Sequence, residues 1–301
     1  MTMPHNPDPK TEAFERARSR LRGVAYRMLG SVADADDAVQ DVYLKWCKVD
    51  VSAIENPEAW LVTACTRRCI DMLRAAHKTR VDYVGAWLPE PVIGDAPFDM
   101  GEQVELASSL TMAFLLLLER LGPVERAAYL LREVFGYHYK DVALAVGRSE
   151  AACRQIVSRA KKHLADKQVV DPPLPQRHEA LLTEFMDALR SGETARLSKL
   201  LADDVQFIAD GGGKVPAVQK TIVNAKDVVT VLTKLWNAFW HGYTFQPATV
   251  NGNAGAILRD GAEISGILSL TLNDEGKCLR IDIVRNPDKL KHIDVDGGHA
   301  H

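Results

Sequence analysis

Apolar positions recur at helical spacing through the first quarter of the chain. Phe14, Leu21, Val24, Ala25 and Met28 line one face of a helix that Thr11 can cap. Val39, Val42, Tyr43 and Trp46 follow at i, i+3, i+4 and i+7, with Asp34 as candidate N-cap and Asp36 and Asp37 in the first turn. Asn56-Pro57 opens a third helix, reaching about Lys78, whose inward positions are Leu61, Cys65, Cys69 and Met72. Helical patterning returns at 102–166: a long apolar helix to about 121, a break at Gly122-Pro123, then two short helices joined through Phe135-Gly136 and Val146-Gly147-Arg148-Ser149. After 178 the period changes. Helices over 178–190, 194–201 and 225–239 give way to strand-like runs at 203–209, 243–251, 254–259, 263–272 and 277–285, the last two joined by an Asn273-Asp274-Glu275-Gly276 turn.

These patterns predict a multi-domain chain: two all-α helical domains, then an α+β domain with a curved antiparallel sheet. The expected boundaries are 8–80, a linker at 81–101, 102–167, a second linker at 168–177, and 178–291. The first linker carries Trp87-Leu88-Pro89-Glu90-Pro91, Gly85, Gly94 and Pro97. Six acids and no Lys or Arg fall between 82 and 105. Exposed Trp and Leu would be unusual in a free linker, so this segment is expected to dock. The polar ends, Met1–Lys10 and His292–His301, are expected to be mobile.

Composition narrows little. A length of 301 residues with 47% hydrophobic and 26% charged residues is ordinary for a soluble protein. The five cysteines (47, 65, 69, 153, 278) form no CxxC pair and read as buried free thiols in a reducing cytoplasm, with no metal site expected. The first residues lack a signal pattern, and the apolar run Leu115–Leu118 is far below the ~20 residues that span a bilayer. A cytoplasmic protein without membrane contact is expected.

Charge is informative locally. The net charge is −3, yet residues 34–58 hold seven acids and two bases, 60–80 hold five bases and one acid, and 148–162 again hold five bases and one acid. Two basic stripes on separate helices suit an anionic polymer. The second lies in a helix-turn-helix pattern: Tyr139–Ala145, a turn, then a helix capped by Ser149 with Cys153, Ile156, Val157, Ala160 and Leu164 inward. Arg148, Arg154, Gln155, Ser158, Arg159 and Lys162 face out, with donors and acceptors that suit base edges and phosphates in a duplex groove. A solvated basic helix at the end of its bundle is the alternative. On the first stripe, Arg67, Arg74 and Lys78 share a face, with Arg68 beside them and Trp60 and Asn56 at the helix start. Aromatic stacking beside phosphate-binding bases suits single-stranded DNA; a core Trp beneath a charged face is the alternative.

Together these segments resemble a known family. Asp36-Asp37 to Trp46, Asn56-Pro57-Glu58-Ala59-Trp60-Leu61 and Cys69-Ile70-Asp71-Met72-Leu73-Arg74 resemble region 2 of extracytoplasmic-function sigma factors, and residues 121–164 resemble their region 4. Tyr83 to Pro91, Asp210-Gly211-Gly212-Gly213-Lys214 and Asn286-Pro287-Asp288-Lys289-Leu290 resemble three signatures of the subgroup with a C-terminal SnoaL-like domain, a cone with a curved sheet. The resemblance implies a transcription initiation factor that binds RNA polymerase core, at the largest subunit's clamp helices and at the flap, and promoter DNA as duplex and as melted strand. Asp37, Gln40, Asp41, Lys45 and Trp46 would meet the clamp helices. Residues 53–60 with Arg67 and Arg74 would read the downstream (minus-ten) element, although Arg67 stands where many relatives carry Asn. The helix at 149–163 would read the upstream (minus-thirty-five) element.

The C-terminal domain would regulate in cis, in place of a separate anti-sigma protein. Asp210 to Lys214 and Asn286 to Leu290 would clamp Trp87, Leu88, Pro89, Glu90 and Pro91. Gly211-Gly212-Gly213 lacks P-loop spacing and reads as a tight turn admitting another backbone. Some SnoaL-like relatives are cyclases; Asp204, Asp210 and His241, near Trp236, Phe239, Trp240 and Tyr243, are the acid–base candidates, against an aromatic core with a hydrogen-bonded histidine. No enzyme activity and no cofactor are expected, though a small ligand in the SnoaL-like pocket stays open. The other readings are a fusion with an enzyme and a helix-turn-helix regulator that senses a small molecule.

Overall fold

The computed structural model describes residues 8–80, 83–94, 109–165 and 175–293. Expectations for 95–108 and 166–174, which take in much of both linkers and the start of the 102–121 helix, lie outside the described residues. The described residues divide into two compact units, one of 8–80, 109 and 117–165, the other of 83–94, 110–116 and 175–293.

The first unit is helical. Helix α1 spans Pro9–Leu29, α2 Val32–Lys48 and α3 Pro57–Arg80. The caps differ from expectation at two ends. Asp8 rather than Thr11 caps α1, accepting from Lys10 N, because Pro9 fits the first helical turn. Ser31 caps α2 by accepting from Asp34 N at 3.2 Å, which places Asp34 inside the first turn. Asn56 caps α3 as expected, its Oδ1 accepting from Ala59 N at 3.1 Å. Leu21, Met28, Val42, Trp46, Leu61, Cys65 and Cys69 are buried where the three helices meet. Each large apolar side chain there contributes about 1.5–3 kcal/mol by leaving water. Leu73 is buried where Met72 was expected; Met72 is half-buried.

Within the described part of the expected 102–121 run, helix α4 covers Met112–Leu118, and Thr111 Oγ1 accepts from Phe114 N at 3.2 Å and starts it there. Then come α5 (Pro123–Tyr129), a π-type turn (Leu130–Val134), α6 (Tyr139–Val146) and α7 (Glu150–Ala165). Gly147 at φ 67° ends α6, and Ser149 Oγ accepts from Ala152 N at 3.2 Å to start α7. Helix α3 packs against α5 and α6, so the two sequence regions with DNA-binding character share one helical unit.

In the second unit, α8 (Pro175–Ser191) and α9 (Thr194–Leu200) lead into a six-stranded sheet of β1 (Leu201–Asp210), β2 (Ile222–Val223), β3 (Thr244–Val250), β4 (Asn253–Asp260), β5 (Glu263–Leu272) and β6 (Cys278–Val284). Helix α10 (Ala225–Leu235) and a π-type turn (Trp236–Trp240) lie between β2 and β3. The order is β2-β1-β6-β5-β4-β3. The sheet is mixed, correcting the all-antiparallel expectation: β1 and β6 run parallel, and the other pairs are antiparallel. Adjacent central strands far apart in sequence are joined through the intervening strands, which leaves them free to align. The two-residue β2 carries too little pattern to be seen in the sequence.

Both faces of the sheet are covered, which explains the near-continuous apolar runs of β5 and β6. Phe185, Leu189, Phe207, Leu232, Trp240, Leu270 and Ile281 fill one side. On the other, Ile208, Val250, Ile257, Ile267 and Val284 pack with Leu88 and Met112. The linker is therefore part of this domain's core. Of the two ends expected to be mobile, 1–7 and 294–301 lie outside the described residues; within the described part, Lys10 Nζ donates to Val49 O at 2.6 Å and Ile293 is buried.

Candidate nucleic-acid interface and linker clamp

The residues expected to read an upstream element lie on α7 and in the turn before it. Arg148, Arg154, Gln155, Ser158, Arg159 and Lys162 are all exposed, while Cys153, Val157, Ala160 and Leu164 are buried beneath them. The period of 3.6 separates the two faces. Arg154 is held over the Tyr139 ring at 4.6 Å and pairs with Glu150 at 3.3 Å, which fixes the orientation of its guanidinium.

The downstream set is more engaged. Trp60 is half-buried and packs on Trp46 with centroids 5.3 Å apart. The Asn56 side chain is used as a helix cap. Arg74 is exposed and lies 3.5 Å from Asp71. Arg68 pairs with Asp41 at 2.6 Å, joining a downstream candidate to a polymerase-facing one. Arg67 Nη2 donates to Leu144 O at 2.6 Å and Nε to Ala145 O at 3.3 Å, both at the end of α6. The Lys78 side chain lies outside the described residues.

On α2, Asp37, Gln40 and Lys45 are exposed. Trp46 is fully buried and its Nε1 donates to Lys10 O at 2.9 Å. It is a core residue, which corrects its assignment to a polymerase-facing surface; position i+7 from Val39 places it on the helix's apolar stripe. Leu44, 52% exposed on the same helix, is the apolar residue that does face solvent.

The second unit gathers its three distinctive segments around one carboxylate. Asp210 sits at the end of β1 and is completely buried, on the same side of the sheet as Ile208. Its Oδ1 accepts from Tyr83 Oη at 2.6 Å and Gly212 N at 3.0 Å. Its Oδ2 accepts from Leu88 N at 2.9 Å and Lys289 Nζ at 2.7 Å. Lys289 also donates to Leu88 O and lies over the Trp87 ring at 4.4 Å. Asn286 Nδ2 donates to Tyr83 Oη at 2.9 Å, and Lys214 pairs with Asp288. Burial, then the bond to Asp210, pushes the Tyr83 phenol well up, so it stays a donor at neutral pH. Gly212 (φ 60°) and Gly213 (φ 69°) form the tight turn. A Cβ on Gly212 would collide with Asn286, and one on Gly213 would press on Val84. Pro89, Glu90 and Pro91 are buried as well.

Three clamp residues escaped the sequence reading. Asn251 Oδ1 accepts from Val92 N at 3.1 Å and its Nδ2 donates to Leu110 O at 3.0 Å. His292 faces Glu90 Oε1 at 2.9 Å with one ring nitrogen and Pro91 O at 2.8 Å with the other. Ile93 bridges to Val250 at the edge strand β3. Asn251-Gly252 is a turn signal, yet a turn reading says nothing of where the side chain goes.

The acid–base candidates are not brought together. Asp204 and His241 are exposed, and Asp210 is committed to the clamp. His241 follows a π-type turn that points Trp240 inward and leaves Phe239 55% exposed, and the imidazole itself faces solvent. Of the five cysteines, Cys65, Cys69, Cys153 and Cys278 are buried; Cys47 is exposed, contrary to expectation.

Residues 13–79 match the family described as Sigma-70 region 2, and residues 111–164 the one described as Sigma-70, region 4. Over 288 residues the chain is 36% identical to ECF RNA polymerase sigma factor SigJ of Mycobacterium tuberculosis (strain ATCC 25618 / H37Rv), covering 92% of each. The chain belongs to the extracytoplasmic-function sigma factors. The same organism's Probable ECF RNA polymerase sigma factor SigI is 27% identical over 297 residues, covering 97% of this chain and 98% of the relative. A crystal structure of Mycobacterium tuberculosis SigJ aligns with a TM-score of 0.73 at 32% identity, over 93% of this chain and 98% of that one.

In this sigma factor region 2 thus takes in α1 to α3, and region 4 takes in α4 to α7. Among the described residues, no group of three or more His, Cys, Asp or Glu could hold a metal ion, and no helix is long and apolar enough to cross a membrane.

Proposed function

We propose that this sigma factor directs RNA polymerase core to its promoters under control of its own C-terminal domain, which acts by holding the linker between regions 2 and 4. The observation that carries this reading is the Asp210 carboxylate, whose four donors come from the linker, the glycine turn and the tail at 286–290. A sigma factor must place two DNA-binding regions on one promoter at once, so the path of the chain between them sets its activity. Packing of Leu88, with Ala86 and Ile93, into the core of the C-terminal domain supports a linker that is held rather than free. A cis clamp of this kind takes the part that a separate anti-sigma protein would otherwise play.

On this reading α7 reads the upstream duplex element through Arg148, Arg154, Gln155, Ser158, Arg159 and Lys162. Asn56, Trp60, Arg67, Arg68, Arg74 and Lys78 belong to the downstream, melted-strand surface. The energy of base capture there offsets an unstacking cost of a few kcal/mol. Asp37, Gln40, Asp41 and Lys45 contact the clamp helices. The action is binding rather than turnover, in the cytoplasm where polymerase and promoter are. Exposure of Asp204 and His241 and commitment of Asp210 support the absence of an acid–base site.

The test is run-off transcription with purified core and the full-length chain, on candidate promoters that include the chain's own gene. Wild type should give core-dependent, site-specific transcripts, and Trp87→Ala should change their yield. Unchanged yield together with unchanged small-angle scattering would remove the clamp from the account.

A further inference from the structure

We propose that Arg67 is an internal latch, which closes region 4 onto region 2 and must be withdrawn before the downstream element can be read. Helix α6 ends at Gly147 in the left-handed conformation, and the N–H groups of Gly147 and Arg148 both turn back to Ala143 O. That cap leaves the next two carbonyls, Leu144 and Ala145, at the negative end of the helix. Carbonyls in the last turn have no partner within the helix and attract cations. Arg67, reaching across from α3, donates to both. A planar guanidinium can meet two carbonyls at once, which a shorter amide in that position cannot.

The contact excludes a function. Arg67 lies on the α3 face that carries the downstream-element candidates, and a guanidinium bonded to α6 is not free to meet DNA. The named promoter elements are about 25 base pairs apart, or about 85 Å of duplex at 3.4 Å per base pair. Regions joined by a direct hydrogen bond cannot serve both. The upstream reader, in contrast, is uncovered, since its side chains on α7 are exposed. The closed chain can therefore present its duplex reader while its strand reader is held. Arginine at this position, where the resemblance would favour asparagine, has a structural reason. This inference rests on the assignment of α3 to the downstream element.

Cys47, the exposed thiol among five, and an introduced Ser158→Cys give one label site in each region, α2 and α7. Double electron–electron resonance on the full-length labelled chain reads the distance between them directly, without transcription. With Arg67 in place, one narrow, short distribution is expected. Arg67→Asn should raise the population at long distances about tenfold, the change expected for losing about 1.4 kcal/mol of closing energy. Arg67→Lys, which keeps the charge but not the fork, should fall between. Arg74→Asn, on the same face and bonded to Asp71 of the same helix, should leave the distribution as in wild type. Core binding by Arg67→Asn should tighten, while strand capture on a pre-melted promoter should weaken. An unchanged distribution in Arg67→Asn, or equal opening in Arg74→Asn, would overturn the latch. Unchanged strand capture with the distances behaving as expected would instead count against the downstream-element assignment.

Discussion

Lys289 places its ammonium 2.7 Å from the carboxylate of Asp210, a residue with no solvent exposure at all. A buried pair of this kind gains little over an apolar pair, but breaking it is costly, because the survivor is left charged and unpaired. Lys289→Ala is therefore expected to destabilise the C-terminal domain by about 3–5 kcal/mol in denaturant melts. The Asp210→Asn and Lys289→Met double variant should recover part of that loss. Simple addition of the two single effects would show that the residues do not act as a pair.

Asn251 is the linker's second anchor. Its side chain bonds Val92 N and Leu110 O and is buried. Asn251→Ala strands one buried donor or acceptor at each site, at about 1–3 kcal/mol apiece. Amide exchange at 88–94 should speed up in this variant while exchange in β5 and β6 stays slow. Uniform acceleration would point to global unfolding instead.

Asp288 gives the clamp an acid limit. Hydrogen bonds from Lys214 and then Lys291 hold its carboxyl down at about 2, below the ordinary 3.8. The sign follows from linkage: a depressed acid contributes stability above its unfolded value, and loses it as pH falls through the folded one. The contribution should be complete above about pH 4 and fade toward pH 2. Asp288→Asn should flatten the pH dependence of melting within that window and leave it unchanged near neutrality. The side chain is exposed, so the effect will be small and reduced by salt.

Trp46 and Leu44 separate folding from docking on one helix. Trp46→Ala should cost about 3–5 kcal/mol of region 2 stability as a core cavity. Leu44→Ala should leave melting unchanged and weaken core binding several-fold. If Leu44→Ala binds core as wild type does, the apolar part of that interface lies elsewhere.

Much of this was legible in the sequence, for identifiable reasons. Long periodic segments announced α1, α2, α3 and α7 because burial and helix period coincide there. The strands β3 to β6 were placed nearly to the residue, since alternation and turn residues bracket them. Ends were harder: Asp8, Ser31 and Thr111 start helices that pattern alone placed elsewhere, since a cap depends on one side chain's reach. The sheet's parallel pair was hidden because register between distant strands leaves no local trace. The clamp's three segments could be named from resemblance. Asn251 and His292 could not, since a single polar residue in a turn or tail carries no signal until the linker lies against it. Trp46 was misplaced for the opposite reason: a residue in a recognised motif was read as surface when its helix position already put it in the core.

The most direct test of the clamp combines two readings on one variant, full-length Asp210→Asn. Amide exchange over 83–94 reports whether the linker is released, and run-off transcription with core reports whether release matters. Faster exchange with a changed yield of site-specific transcript is the predicted result. Faster exchange with a yield equal to wild type would contradict it, leaving a linker that is held but controls nothing.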